Sequence, residues 1–137
     1  MENHFVTYNQ SLALKELGFD EPCLKLWEKT ILFTSLVDPS EFKKVVSERY
    51  TKAPLKSQVF EWFRKEHELE SYIEKGWSQV LSMYEYRFHF RKSEEIGLWG
   101  QTSYWANVGD FKTYEEAESA CIDKLIELIK KKYEIHT

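Results

Sequence analysis

Residues 84–91 alternate strictly between aromatic and polar side chains, and this alternation limits how the chain can fold more than any other feature. Tyr84, Tyr86, Phe88 and Phe90 occupy every second position, with charged residues or histidine between them. Because successive side chains of a β-strand point to opposite faces of the sheet, the segment predicts a strand with one aromatic and one polar face. Large apolar surfaces are seldom left exposed, so we expect helices to cover the aromatic face and make it part of the core.

Several segments have the apolar spacing of amphipathic helices that could form this covering layer. The first follows Thr7, which forms a capping-box pattern with Gln10, and it stops at Gly18, where a left-handed residue would give a Schellman ending. The last follows Thr113 and has acidic residues in its first turn and lysines in its last. The predicted helical segments are residues 7–19, 53–69 and 113–135, with a shorter fourth over 38–50.

The remaining patterned segments predict strands. Residues 23–37 read as a strand pair broken at Lys29, and residues 79–91 read as the longest strand, in a central or strongly bent position. Residues 98–108 predict a shorter returning strand with a bulge at Gly100. Because helices and strands come in groups, we expect an α+β fold: a mostly antiparallel sheet of about four strands packed in two layers against three or four helices. A chain of 137 residues predicts a single globular domain, residues 1–137.

Composition and charge exclude several classes of protein. No apolar run approaches the length of about 20 residues that spans a bilayer, and the N-terminal residues lack the pattern of a signal peptide, so we expect a cytoplasmic protein with no membrane partner. The net charge of −4 disfavours nucleic acid as a partner. Cys23 and Cys121 are far apart in sequence, and we expect two buried thiols rather than a disulfide or metal ligands.

The sequence contains none of the common catalytic motifs. It has no Walker-type phosphate loop, no GxGxxG and no GxSxG, and Ser71 stands where a zinc-binding HExxH beginning at His67 would need its second histidine. No catalytic residue, metal site or cofactor is predicted, and an enzymatic activity is unsupported.

Two groups of residues are candidates for binding. Arg87, His89 and Arg91 share the polar face of the alternating strand, where they could hold an anionic group, or could form a solvated face on which Glu85 neutralises Arg87. The second group is aromatic and stands among glycines and small polar residues, which is typical of recognition loops and equally compatible with a strand whose rings pack inward. It comprises Trp99, Tyr104 and Trp105.

Three segments carry a resemblance to a known family. LALKELGFDEPC (residues 12–23), APLKSQVFEWFRKEHELESYIE (53–74) and KTYEEAESACIDKLIELIK (112–130) resemble, in order, small proteins encoded by gut-bacterial genomes, their prophages and phages. That family has no established activity, so the resemblance implies no functional residue. Residues 24–52 and 75–111 depart from it, and they are where target specificity would vary.

These observations favour a non-catalytic interaction protein of mobile-element or phage type that binds a host macromolecule, with a host protein as the expected partner. The alternative is a small-molecule or nucleotide-binding domain, in which the polar strand face contacts an anionic group. A third hypothesis, single-stranded RNA binding through exposed sheet aromatics, is disfavoured by the acidic charge.

Overall fold

The computed structural model describes residues 4–28, 31–34, 50–92 and 106–136, which form three helices and six strands. In chain order these are α1 (Tyr8–Glu16), β1 (Lys25–Glu28), β2 (Ile31–Thr34), β3 (Thr51–Ala53), α2 (Lys56–His67), β4 (Leu69–Ser78), β5 (Met83–Lys92), β6 (Ala106–Phe111) and α3 (Tyr114–His136). The helix predicted over 38–50 lies outside these residues except for Tyr50. The bulge predicted at Gly100 also lies outside them.

The strands form two antiparallel sheets, with the orders β2-β1-β3 and β4-β5-β6. This confirms the predicted α+β class and the antiparallel pairing, although the described residues hold six strands in two sheets rather than about four in one. The chain groups into two compact units, residues 1–59 with 128–137 and residues 60–127. The prediction of a single domain stays a prediction.

Helix α1 in the first unit begins and ends as predicted. The Thr7 hydroxyl accepts a hydrogen bond from the Gln10 N–H at 3.1 Å, and the Gln10 side chain accepts one from the Thr7 N–H at 2.9 Å, which completes the capping box. At the other end Gly18 has a φ of +97°, and the Phe19 N–H donates to the Leu14 carbonyl at 2.9 Å. This is the Schellman geometry, which only glycine adopts without strain.

The first sheet packs its inward side chains around α1. Leu26 on β1 lies opposite Phe33 on β2, so the predicted strand pair is confirmed, and the Val6 N–H donates to the Pro54 carbonyl at 3.1 Å. The buried hydrophobic residues of this unit include Phe5, Val6, Leu14, Phe19, Cys23, Leu26, Ala53 and Val59.

Strand β5 is the centre of the second sheet, as its pattern predicted. It pairs with β4 along ten residues, from Leu69 opposite Lys92 to Ser78 opposite Met83, and with β6 on its other side. The predicted start of this strand was wrong, since residues 79–82 form the turn of a β4–β5 hairpin.

Helix α3 covers part of the aromatic face of β5. The Lys124 ammonium lies 6.0 Å from the Phe90 ring centroid, and the Tyr114 ring meets Tyr86 edge-on at 6.1 Å. Phe88 is only 2% exposed, which confirms that this part of the row belongs to the core. Tyr84, at 59% exposed, does not, so the expectation that the whole row is buried was wrong at the end nearest the turn.

We predict that Thr7→Ala lowers the free energy of unfolding by about 1 kcal/mol, because the change leaves the Gln10 N–H without its cap. Urea denaturation at 25 °C measures this loss. Thr7→Ser keeps the hydroxyl and is the matched control, expected to stay close to the parent protein; equal losses in both variants would show that the cap is not the cause.

Candidate functional site

Two surfaces of the β4-β5-β6 sheet are candidate binding sites, and the first is the polar face of β5. Arg87, His89 and Arg91 lie on this face as predicted, and both arginines are paired with carboxylates. Arg87 Nη2 lies 3.0 Å from Glu85 Oε1, and Arg91 Nε lies 2.9 Å from Glu70 Oε2. Each guanidinium is thus already neutralised by a neighbour on the sheet.

His89 is held by both of its neighbours on β4. Its Nε2 lies 2.6 Å from Glu74 Oε2, and the Tyr72 ring stacks on the imidazole at a centroid distance of 4.4 Å and an angle of 12°. The imidazole side chain is only 12% exposed. The carboxylate and the stacked ring fix the orientation of His89, and among the described residues neither contact is to a serine hydroxyl or a thiol that it could activate as a nucleophile.

Glu85 and Asp110 form a carboxyl pair at the buried end of the polar face. A hydrogen bond with Asp110 raises the pKa of Glu85, and burial and the Asp110 charge act in the same direction, whereas Arg87 lowers it. The pair has little room, since a Cβ at Gly109 would lie 3.3 Å from Glu85 Oε1. Asp110 itself has a φ of +73°, a left-handed conformation that non-glycine residues seldom adopt.

The polar face therefore carries more acidic than basic side chains. Its three basic side chains face three glutamates, and Asp110 adds a fourth acid. An incoming anion would have to displace a carboxylate from each base, so the geometry does not favour a phosphate site here. The assignment of Arg87, His89 and Arg91 to anion binding stays a prediction.

The second surface is the end of the β4–β5 hairpin, which we call the hairpin tip. Trp77 and Tyr84 face each other across the strands, and their rings meet edge-on at 5.1 Å and 77°. Val80 in the turn is 94% exposed. The hairpin tip is defined by its exposed large hydrophobic residues, namely Trp77, Val80, Leu81, Met83 and Tyr84.

The hairpin tip is apolar and carries no charge. Residues 76–84 contain no Asp, Glu, Lys or Arg, in a chain that is 31% charged. Just below them, the Lys75 ammonium lies 5.4 Å from the Tyr84 ring centroid and 5.8 Å from that of Tyr86, which places it over two aromatic faces. Five large hydrophobic side chains are thus exposed within eight residues of the chain.

Sequence reasoning missed the hairpin tip because Val80 and Leu81 continued the apolar pattern of the strand. The signals that could have revealed the turn were the uncharged run and the two serines that bracket its apex. Ser78 in particular accepts a hydrogen bond from the Leu81 N–H at 3.2 Å, which is a local turn contact. The aromatic residues that were singled out instead, Trp99, Tyr104 and Trp105, lie outside the described residues.

The described residues offer little for metal or thiol chemistry. They contain no group of three His, Cys, Asp or Glu side chains that could hold a metal ion. Burial raises the pKa of both Cys23 and Cys121 to about 12, so neither thiol is a nucleophile near neutral pH. No helix in this part of the chain is long and apolar enough to cross a membrane.

No protein-family model, curated protein or solved structure matches the chain. The resemblance to small proteins of gut-bacterial genomes and phages therefore stays a prediction.

We predict that the free energy of unfolding of Glu85→Gln rises relative to that of the parent protein as the pH rises from about 4 to 7. The folded-state pKa of Glu85 lies above its ordinary value of 4.5, so the stability that this group contributes is present at low pH and is lost as the pH rises through the raised pKa. Urea unfolding at several pH values measures the difference between the two proteins.

Glu61→Gln is the control of opposite sign. Its hydrogen bond to Lys65, at 2.8 Å, lowers the pKa of Glu61, so its contribution is present at neutral pH and lost on acidification. The free energy of unfolding of Glu61→Gln should therefore fall relative to that of the parent protein as the pH rises. Parallel pH profiles for the two variants would contradict the raised pKa of Glu85.

We predict that neither cysteine of the folded protein reacts with iodoacetamide at pH 8, because both thiols are buried and protonated. In guanidinium chloride both should react within minutes, which intact mass spectrometry records as two added groups. Rapid labelling of either cysteine in the native protein would show that its site opens readily.

Proposed function

We propose that the protein is a non-catalytic binding protein of mobile-element or phage type that attaches to a host protein through the hairpin tip. The observation that carries this proposal is the exposure of Trp77, Val80, Leu81, Met83 and Tyr84 together, on a part of the sheet where the aromatic row is no longer buried. An exposed apolar patch of this kind is typical of an interaction site.

The hairpin tip has the composition of a binding hot spot, and two of its aromatic side chains are already held in place. Tryptophan and tyrosine supply large contact area with few rotatable bonds, so little conformational entropy is lost when a partner fixes them. Here the strand pairing and the edge-on contact already hold Trp77 against Tyr84. Preorganisation of this kind raises affinity by lowering the cost of ordering the interface.

Charge favours a protein over the other macromolecules. Nucleic acids and anionic lipid surfaces are bound through clusters of Lys and Arg. Next to the hairpin tip stands Lys75, whose ammonium lies over two tyrosine rings, and the chain as a whole carries a net charge of −4. A convex and uncharged tip fits an apolar pocket on a protein surface.

The proposed function is the one predicted from the sequence, and the hairpin tip is now its main binding site. Trp99, Tyr104 and Trp105 remain candidates for a second part of the surface, and a cytoplasmic location remains part of the proposal. Anionic-ligand or nucleotide binding is the second candidate, and the pairing of Arg87 and Arg91 with glutamates gives it no support.

We predict that Leu81→Asp abolishes capture of the partner. Immobilised parent protein should enrich one host protein from cell extract, and the variant should retain it at least about 30-fold less, because losing a central hot-spot contact costs 2 kcal/mol or more. Quantitative mass spectrometry of the bound fraction measures the ratio, and the purified partner then gives the affinity by calorimetry.

Leu24→Asp is the matched control, since Leu24 is 57% exposed and Leu81 52% exposed. Both variants should keep the parent circular dichroism and melting temperature, and Leu24→Asp should also keep the partner. Equal capture by all three proteins, equal loss in both variants, or a bound fraction that nuclease removes would each contradict the proposal.

A further inference from the structure

The outer edge of β4 is a long strand edge with no partner among the described residues. On one side β4 pairs with β5 through all ten of its residues without a register shift, and on the other side no described strand pairs with it. Alternate N–H and C=O groups of such an edge point outward, ready to pair with another strand. Natural proteins protect edges of this kind with proline, bulges or charged side chains. Strand β4 has no proline and no register shift, and its charged residues Glu70, Glu74 and Lys75 limit which registers another strand can adopt.

We propose that a second copy of the chain pairs antiparallel with β4, on a two-fold axis that passes through Ile73. The β4-β5-β6 sheets of the two copies then form one continuous sheet of six strands. Its order is β6-β5-β4 followed by β4-β5-β6 of the second copy. Such an interface is isologous, because each copy contributes the same strand. The inference does not depend on the function proposed for the hairpin tip.

The axis position follows from the charges along β4. A two-fold axis perpendicular to the sheet keeps each face on its own side, so residues that share a face lie opposite each other. An axis at Glu74 places two glutamates in direct opposition, and an axis at Lys75 does the same with two lysines. An axis at Tyr72 sets Glu70 against Glu74 of the second copy. Like charges directly opposite each other destabilise a strand pair.

An axis at Ile73 avoids every such clash and keeps the longest pairing. Residues 69–77 of each copy are paired, nine of the ten residues of β4. The pairs opposite each other combine a charged side chain with a neutral one or two neutral ones: Leu69 with Trp77, Glu70 with Gly76, Ser71 with Lys75 and Tyr72 with Glu74. Axes at Ser71 or Gly76 leave only five residues paired.

The geometry also sets the strength of the dimer and leaves the hairpin turns, residues 79–82, outside the paired region. A single strand pair about 30 Å long is held mainly by backbone hydrogen bonds, which places it among small, weak interfaces of micromolar affinity. Because the pairing is antiparallel, the two tips lie at opposite ends of the joined sheet. The dimer is therefore bivalent.

Sedimentation equilibrium from 1 to 200 μM, about the range that spans micromolar affinity, tests the proposal on the full chain. The parent protein should show a monomer–dimer equilibrium. Gly76→Glu sets two glutamates opposite each other across the axis and should weaken dimerisation at least about fivefold, whereas Gly76→Lys faces Glu70 and should strengthen it. A monomer at every concentration, or the same dissociation constant for both variants, overturns the proposal.

Folding and dimerisation are separable in this pair of variants. A Cβ at Gly76 would lie 3.7 Å from Arg87 Nε, an ordinary van der Waals contact, so both substitutions fit. Within one chain position 76 lies opposite Glu85 and also close to Arg87, so each new charge meets one attractive and one repulsive partner. The two variants should therefore have similar melting temperatures at a concentration where the chain is monomeric, while their dimer affinities differ. Leu81→Asp should leave the dimer unchanged, which keeps this test distinct from that of the hairpin tip.

A cysteine at the axis tests the register directly. Opposed residues of an antiparallel pair have Cα atoms about 4.5–5.5 Å apart, within the range of a disulfide. Ile73→Cys should form a covalent dimer on mild oxidation, and Glu74→Cys and Lys75→Cys should not. The native thiols are buried and do not compete. Cross-linking that is equal at all three positions, or fastest at Glu74 or Lys75, contradicts the axis at Ile73.

Discussion

The structure of the second unit depends on one requirement, which is that β5 must bury aromatic rings on one face while it carries charges on the other. Helix α3 meets the first demand at Tyr86 and Phe90, and Phe88 is buried between the rings of Phe90 and Phe111. The second demand is met inside the sheet, where carboxylates from β4 and β5 pair with the basic residues of β5. Strand β5 is central because it pairs with β4 along one edge and with β6 along the other.

The sequence was most informative where local chemistry decides the structure. The caps of α1 could be predicted because Thr7, Gln10 and Gly18 satisfy backbone groups within a few residues of themselves. The β1–β2 pair and the central place of β5 followed from alternation. Even so, alternation reports only which side chains share a face. It does not report how far along the strand a helix extends, and for that reason Tyr84 was assigned to the core together with Phe88.

The candidate site was harder to predict because it depends on contacts between strands. That Glu74 contacts His89 and Glu70 pairs with Arg91 follows from the β4–β5 register, which the turn at 79–82 sets. Val80 and Leu81 favour strands by composition, so the turn was hidden within an apolar run. The same run marks the surface proposed for binding, since the ion pairs described on this sheet lie away from the apolar tip.

The separation of the turn from the core has an evolutionary consequence. Residues 79–82 are all exposed, so substitutions there change the outline of the hairpin tip while the buried contacts of Phe88 and α3 stay as they are. Exposed positions of this kind usually accept substitution with little loss of stability. Under the proposed binding role, selection for a new target can act on these four residues without first finding compensating changes in the core, and lineages that share this scaffold can diverge in specificity while their folds remain alike.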